Sequence, residues 1–246
     1  MKSLAMNHRL NGMLACCLGG GLLCAQPLHA QLTFTIEGPG VQATTVAGAT
    51  TETFNGLPAG SLGSYVSPGI GTFSGGAIVA ANEYGGAGGG GNYYAVGAES
   101  GTTLGTLTLS SPQDYLGLWW SAGDAENVLQ FFDGATVIGT YDVGSIIPYL
   151  SAAYYGNPNA AFLGQDSGEP FVYLNFTTSG TTQITSVDFE NGLSTGFELD
   201  NVSVYNQAIT PPGNSVPDAT NTTLLLFMAA ASLFGYRQCR KLAGLA

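Results

Sequence analysis

Apolar residues in the middle of this chain come in short runs. Clusters of Gly, Asn, Asp, Ser and Pro separate them, and no long stretch keeps a helical period. Such punctuation predicts an all-β fold. Strands are expected at 32–36, 103–109, 115–120, 128–132, 136–141, 171–177, 184–190 and 197–205. Leu107 and Leu109 alternate onto one face, and the dense run 115–120 predicts a central strand. Asp133-Gly134 between two strands signals a hairpin. Strands 171–177 and 184–190 read as another pair. In the last strand Phe197/Leu199 gives way to Val202/Val204, so the phase shifts at Asp200-Asn201 and predicts a β-bulge. Residues 85–91 hold six glycines and predict a mobile, exposed loop. Residues 149–168 read as a long loop with room for a helical turn. Together these elements predict one β-sandwich, jelly-roll-like, over residues 31–209, a length that suits a single core.

The two ends follow other patterns. Lys2 and Arg9 precede an apolar stretch at 10–25, and Leu28-His29-Ala30 offers a cleavage site, so residues 1–30 read as a secretory signal peptide. A lipoprotein signal through Cys24 fits less well, because Leu23 stands where a small residue is expected. At the other end, a linker at 210–215 leads to Val216-Pro217-Asp218. An uncharged stretch follows at 219–236, apolar from Leu224 onward, and then Arg237, Arg240 and Lys241. At about 1.5 Å per residue such a helix just crosses a bilayer core of about 30 Å. The basic cluster would stay cytoplasmic, so the body would face outward.

Charge sharpens the picture. The formal net charge is -11, from 5 Lys+Arg against 16 Asp+Glu. All the basic residues are terminal, and from Gln31 to Tyr236 there is no Lys, Arg, His or Cys. That removes Ser-His-Asp and Cys-His catalysis and imidazole or thiolate zinc sites from the body. It also makes nucleic acid a poor partner, since nothing there neutralises phosphate. Carboxylates, amides, hydroxyls and aromatics remain, a set suited to calcium and to sugars.

The Val-Pro-Asp motif, apolar helix and basic tail, in that order, resemble the PEP-CTERM class of sorting signals, and most nearly its VPDSG-CTERM variant. Ala219-Thr220 stands where that variant has Ser-Gly. The resemblance implies export through the secretion machinery and transient anchoring in the inner membrane. Processing by exosortase, a membrane cysteine protease, would follow, with delivery to the surface or extracellular matrix of a Gram-negative bacterium. The run from Asp114 to Gly134 and the ending Gly196 to Val204 also resemble a family of exosortase-dependent surface proteins, which offers no catalytic residues to carry over. That ending is similar as well to the last strand of carbohydrate-binding jelly rolls, in which an Asp or Glu helps hold a structural calcium.

Candidate chemistry is limited to oxygen ligands and aromatic faces. Glu198 and Asp200 share a face if the strand is regular, and a bulge would re-aim Asn201. With backbone carbonyls these could serve calcium, and the competing reading is a polar outer face with an Asx bend. Asp124 and Glu126, beside Asn127, form a second acidic candidate without EF-hand spacing. Tyr93, Tyr94, Tyr154 and Tyr155 lie in loop-like contexts where an exposed ring could stack on a sugar. Trp119 and Trp120 must point to opposite faces of a strand, one into the core and the other to packing or a ligand. The first expectation is therefore a surface or matrix protein with a structural or adhesive role and no catalysis. Calcium would assist it by bridging carboxylates to acidic exopolysaccharide. The alternative is a carbohydrate-binding module for exopolysaccharide. A glycoside hydrolase comes third, because no pair of carboxylates is singled out.

Overall fold

The computed structural model describes residues 32–215. The signal peptide, Val216-Pro217-Asp218, the apolar stretch 219–236 and the basic cluster lie outside the described residues. Among the described residues no helix is long and apolar enough to cross a membrane.

The strands are β1 (Thr33–Ile36), β2 (Thr50–Glu52), β3 (Gly60–Ser61), β4 (Ser64–Ser67), β5 (Gly71–Ser74), β6 (Ala77–Ala80), β7 (Asn92–Gly97) and β8 (Leu104–Gln113). After them come β9 (Tyr115–Ser121), β10 (Val128–Asp133), β11 (Thr136–Asp142), β12 (Val172–Thr177), β13 (Ile184–Glu190), β14 (Gly196–Tyr205) and β15 (Asn214–Ser215). They form two antiparallel sheets. The first runs β15-β1-β12-β9-β14-β7-β6-β3, with β2 also on β14, and the second runs β11-β10-β13-β8-β5-β4. One short helix, α1 (Val143–Ile146), is capped by Asp142, whose carboxylate accepts the Ser145 N–H.

The inner faces of the two sheets meet in an apolar core. Leu116, Leu118, Trp120, Leu199 and Phe197 from the first sheet pack with Leu107, Phe131, Val187 and Phe189 from the second. Phe131 and Phe176 join the sheets with ring centroids 4.4 Å apart. The second sheet keeps the alternation of a half-exposed sheet: Val187 and Phe189 are buried, while Ser186, Asp188 and Glu190 are half-buried on the other face.

The first sheet is different. Every residue of β9 and of β12 is buried, because loops cover its outer face as a third layer. That explains the unbroken apolar run in β9, since a strand buried on both sides loses its alternation. Trp119, Ala122, Phe171 and Tyr173 form a separate cluster on this outer face, and Ala87 packs on it from above.

Four expectations need correction. Strands 171–177 and 184–190 do not pair: β12 lies between β1 and β9, and β13 lies between β10 and β8 in the other sheet. The six-residue connection between them crosses from sheet to sheet and makes no hairpin. The glycine-rich segment 85–91 is not an exposed loop throughout. Gly85 and Gly86 are buried, Ala87–Gly89 make a 3-10 turn, and a Cβ on Gly85 would stand 2.8 Å from the Tyr93 ring. Glycine is needed there because the loop lies flat on the sheet. Strands β2 to β7 were not foreseen at all. Lastly, the rings expected to be exposed are mostly buried, as detailed below.

The bulge is borne out. Opposite β9 the register slips between Asp200 and Ser203, and Asn201 sits at φ 48°. There β14 also changes its other neighbour, from β7 on residues 196–199 to β2 on residues 202–204. The Asp133-Gly134 hairpin joins β10 to β11, with Gly134 at φ 59°.

Phe131 bridges the sheets, so Phe131→Ala should cost about 3–5 kcal/mol of folding stability. Val137, half-exposed on edge strand β11, should cost less than about 0.5 kcal/mol when cut to Ala. Denaturant midpoints of the two variants measure the difference, and equal losses would contradict this packing.

Candidate functional site

Four strand ends meet at one end of the first sheet. Gly97 closes β7 opposite Gly196, which opens β14, and Ser121 closes β9 opposite Glu198. Val172 opens β12 opposite Trp120. The loops leaving these ends bring Glu99, Asp124, Glu169 and Glu198 around one cleft of about 340 Å³, with Tyr84, Ala98, Ala122 and residues 194–196 completing its wall. Asp166 adds a fifth carboxylate beside Glu169.

Glu198 forms the floor of the cleft. It is 2% exposed, and its Oε2 is buried with no hydrogen-bond partner. Burial, with Glu99 and Asp124 nearby, holds its carboxyl well above the usual range. Glu169 is pushed up to about 9, first by burial and then by its hydrogen bond to Asp166 and the charge of Asp124. Burial also raises Asp124, although the Thr195 hydroxyl and the Gly196 N–H donate to it and work the other way. The wall is cut to fit these groups. A Cβ on Gly196 would overlap Glu198 Oε1 and stand 2.6 Å from Glu99 Oε2.

Asp200 shares the outer face with Glu198 but lies outside the cleft lining. Its Oδ2 accepts the Ala87 N–H at 2.8 Å and its Oδ1 accepts the Asn201 N–H at 2.6 Å. It therefore clamps the glycine-rich loop to the bulge. Burial raises its carboxyl to about 7 against the pull of those two donors. The Asn201 amide donates to Gln42 O at 2.6 Å, which ties in the loop after β1. Neither residue lines the cleft with Glu198, so the expected trio separates. The competing reading holds in part: both acids lie on the outer face and Asp200 bonds the next N–H as an Asx bend does, but loops bury them.

The second acidic candidate separates too. Asp124 enters the cleft, whereas Glu126 is exposed and accepts from the Ser194 hydroxyl at 3.1 Å. Asn127 is a structural hub. Its Oδ1 accepts Trp120 Nε1 at 2.9 Å and the Asp124 N–H at 3.0 Å, and its Nδ2 donates to Asn191 and to Gly196 O. Among the described residues no group of three or more Asp, Glu, His or Cys is disposed to hold a metal ion.

Of the six aromatic candidates, five are buried. Tyr94 lies in the core against Phe54 and Phe73, and its hydroxyl donates to Gly75 O. Tyr93 is roofed by the glycine-rich loop and donates to Asn82 Oδ1. Trp120 is core and Trp119 lies under Ala87, so neither offers a free face. Tyr154 donates to Glu37 O at 2.7 Å. Tyr155 is 37% exposed. The cleft's own exposed ring is Tyr84, 39% exposed. Sequence reasoning missed Tyr84, Glu99, Glu169 and Asp166. The only signal for them was an excess of carboxylates with no counter-charge.

No known family's profile matches this chain. No curated protein matches it either. Among solved structures it is similar to the catalytic domain of a GH87 alpha-1,3-glucanase in complex with nigerose, at 15% identity and a TM-score of 0.32. A variant of that domain in complex with tetrasaccharides gives 16% and 0.30. In both, the likeness covers 77% of this chain and 30% of the other. The chain thus spans less than a third of the length of the structures it resembles.

The raised carboxyls fix a direction for pH dependence. Asp200 and Glu169 keep their protons to higher pH when folded than when unfolded. The folded state therefore binds more protons between about pH 4 and 7 at Asp200, and up to about 9 at Glu169. Stability should fall as pH rises through those intervals. Melting in chelator should give a higher Tm at pH 5 than at pH 8, and Asp200→Asn should flatten the lower part of the profile. A Tm that rises from pH 5 to 8 would contradict this.

Proposed function

We propose that this is an exported protein, sorted by its C-terminal signal to the cell surface or extracellular matrix of a Gram-negative bacterium, where its β-sandwich serves a structural or adhesive role without catalysis. The strand order supports a jelly-roll reading of the sandwich. Strands β12-β9-β14-β7 face β11-β10-β13-β8, and the chain passes between the two sets as two Greek keys do.

The observation that carries the role is the closed outer face of the first sheet. A sugar-stacking module presents rings to solvent, yet here Trp119, Tyr173 and Tyr93 are sealed beneath loops. Gln42 donates to Asn159 at 2.8 Å, Asn159 donates to Gly86 O at 3.1 Å, and Asn157 donates to Glu83 O at 2.8 Å. Those amides bind three loops to one another over the sheet. The arrangement favours durability over an open binding platform, which suits a wall or matrix component. A carbohydrate-binding module is the second reading, favoured by Tyr84 exposed on the rim of the carboxylate cleft. The exosortase and secretion partners, and exopolysaccharide as neighbour, follow from the sorting-signal resemblance.

Fractionation of cells expressing the full chain tests the sorting reading. The chain should reach the outer envelope or matrix, and the double change Pro217→Ala, Asp218→Ala should leave it in the inner membrane. The same distribution for both chains would contradict it. Saturable exopolysaccharide binding that Tyr84→Ala abolishes would move the assignment to the second reading.

A further inference from the structure

Buried carboxylate oxygens among the described residues have hydrogen-bond donors built around them, with two exceptions, Glu198 Oε2 and Asp166 Oδ2, which lie in one acidic cluster. Glu37 accepts from the Thr45 hydroxyl at 2.7 Å and from the Asn175 amide at 3.3 Å. Asp200 accepts two backbone N–H groups. Half-buried carboxylates away from that cluster are supplied in the same way. Glu52 accepts from the Phe54 N–H, the Tyr65 hydroxyl and the Ser67 hydroxyl, and Asp188 accepts from the Thr106 hydroxyl at 2.7 Å. Glu198 is the more deeply buried of the two exceptions, 2% exposed. Its Oε2 is buried without a partner, in a cleft whose other carboxylates are Glu99, Asp124 and Glu169. An unmet buried carboxylate oxygen among like charges calls for a positive partner. The body supplies no Lys, Arg or His.

We propose that this cleft binds one divalent cation of the calcium class, with Glu198 as its buried anchor and Asp124, Glu169 and Glu99 as the carboxylates around it. Calcium suits the site because it takes six to eight oxygens in adaptable geometry, mixing carboxylates, carbonyls and water. No three acidic side chains among the described residues are already set around one point, so the carboxylates must draw in on the ion, with backbone and water oxygens filling the remaining positions. Magnesium, which demands near-ideal octahedral geometry, is the weaker ligand. Gly196 keeps the space open between Glu198 and Glu99. Bound there, the ion ties together the loops after β7 and β9 and those before β12 and β14, so the outer face of the first sheet becomes harder to open. The inference deepens the structural role proposed above and replaces the expected set: Asp200, Asn201 and Glu126 are not ligands.

The test uses the full chain, purified in detergent and stripped with chelator, titrated with calcium chloride by calorimetry and by Tm. One calcium per chain should bind with a dissociation constant of about 0.1–1 mM, the range of extracellular modules, and raise the Tm. Magnesium should bind more weakly. Glu198→Gln should weaken calcium binding at least about tenfold, the scale on which losing a supporting group weakens metal sites. It should also raise the Tm in chelator, because a neutral amide replaces a buried acid. Asp188→Asn, on the second sheet, should bind calcium as the original does. No uptake at about 10 mM calcium, well above that range, or unchanged binding in Glu198→Gln, would overturn the proposal. Either failure would leave the sorting reading standing, because fractionation tests that separately.

Discussion

A folded body without a single basic side chain must settle each of its carboxylates by other means. From Gln31 to Tyr236 that is the situation of this chain, and it shapes the molecule more than any other constraint. Ion pairs are unavailable, so hydroxyls, amides and backbone N–H groups do the neutralising. Glu37 draws the loop after β1 down to Asn175 on β12. Glu52 gathers Tyr65 and Ser67 from β4. Asp200 fastens the glycine-rich loop to the bulge in β14. Each of these acids therefore ties separate segments together, and the ties at Glu37 and Asp200 hold loops against the first sheet.

The covering layer settles what the aromatics do. In an open sandwich the outer rings of β9 and β12 would face solvent. Here Trp119, Phe171 and Tyr173 pack under Ala87, while Tyr173 donates to Asn201 O and Ser203. Burial on both faces gives β9 and β12 the environment of strands in a three-layer protein. The exposed chemistry is then left to the sheet's end, where four loops converge on Glu198.

Much of this was legible in the sequence. All eight expected strands exist, with shifts at their ends, because alternation and turn residues are local signals. The bulge at Asp200-Asn201 showed itself as a change of phase, and the Asp133-Gly134 turn by its residues alone. Strands β2 to β7 were hidden since they are short and rich in Gly, Ser, Thr and Ala, so their side chains carry little pattern. The pairing of β12 with β13 was wrong because nearness in sequence cannot tell a hairpin from a crossing between sheets. Tyr93 and Tyr94 follow a glycine-rich loop in sequence, yet they belong to β7 and are buried. Glu198 and Asp124 were singled out in advance, whereas Glu99 and Glu169 were not. Only the register of β7, β14, β9 and β12 brings those four together, and register is invisible in one sequence.

The account turns on Glu198 being a deeply buried acid whose Oε2 has no hydrogen-bond partner, in a cleft lined by other carboxylates. Carboxyl carbon NMR, recorded against pH without divalent cations, tests this residue by residue. The account predicts that Glu198 titrates well above the ordinary glutamate range, while Asp142, which accepts from Ser145 at its helix cap, titrates below the ordinary aspartate range. A Glu198 signal that titrates like an exposed glutamate would mean that the carboxylate is solvated or already neutralised, and would contradict the account.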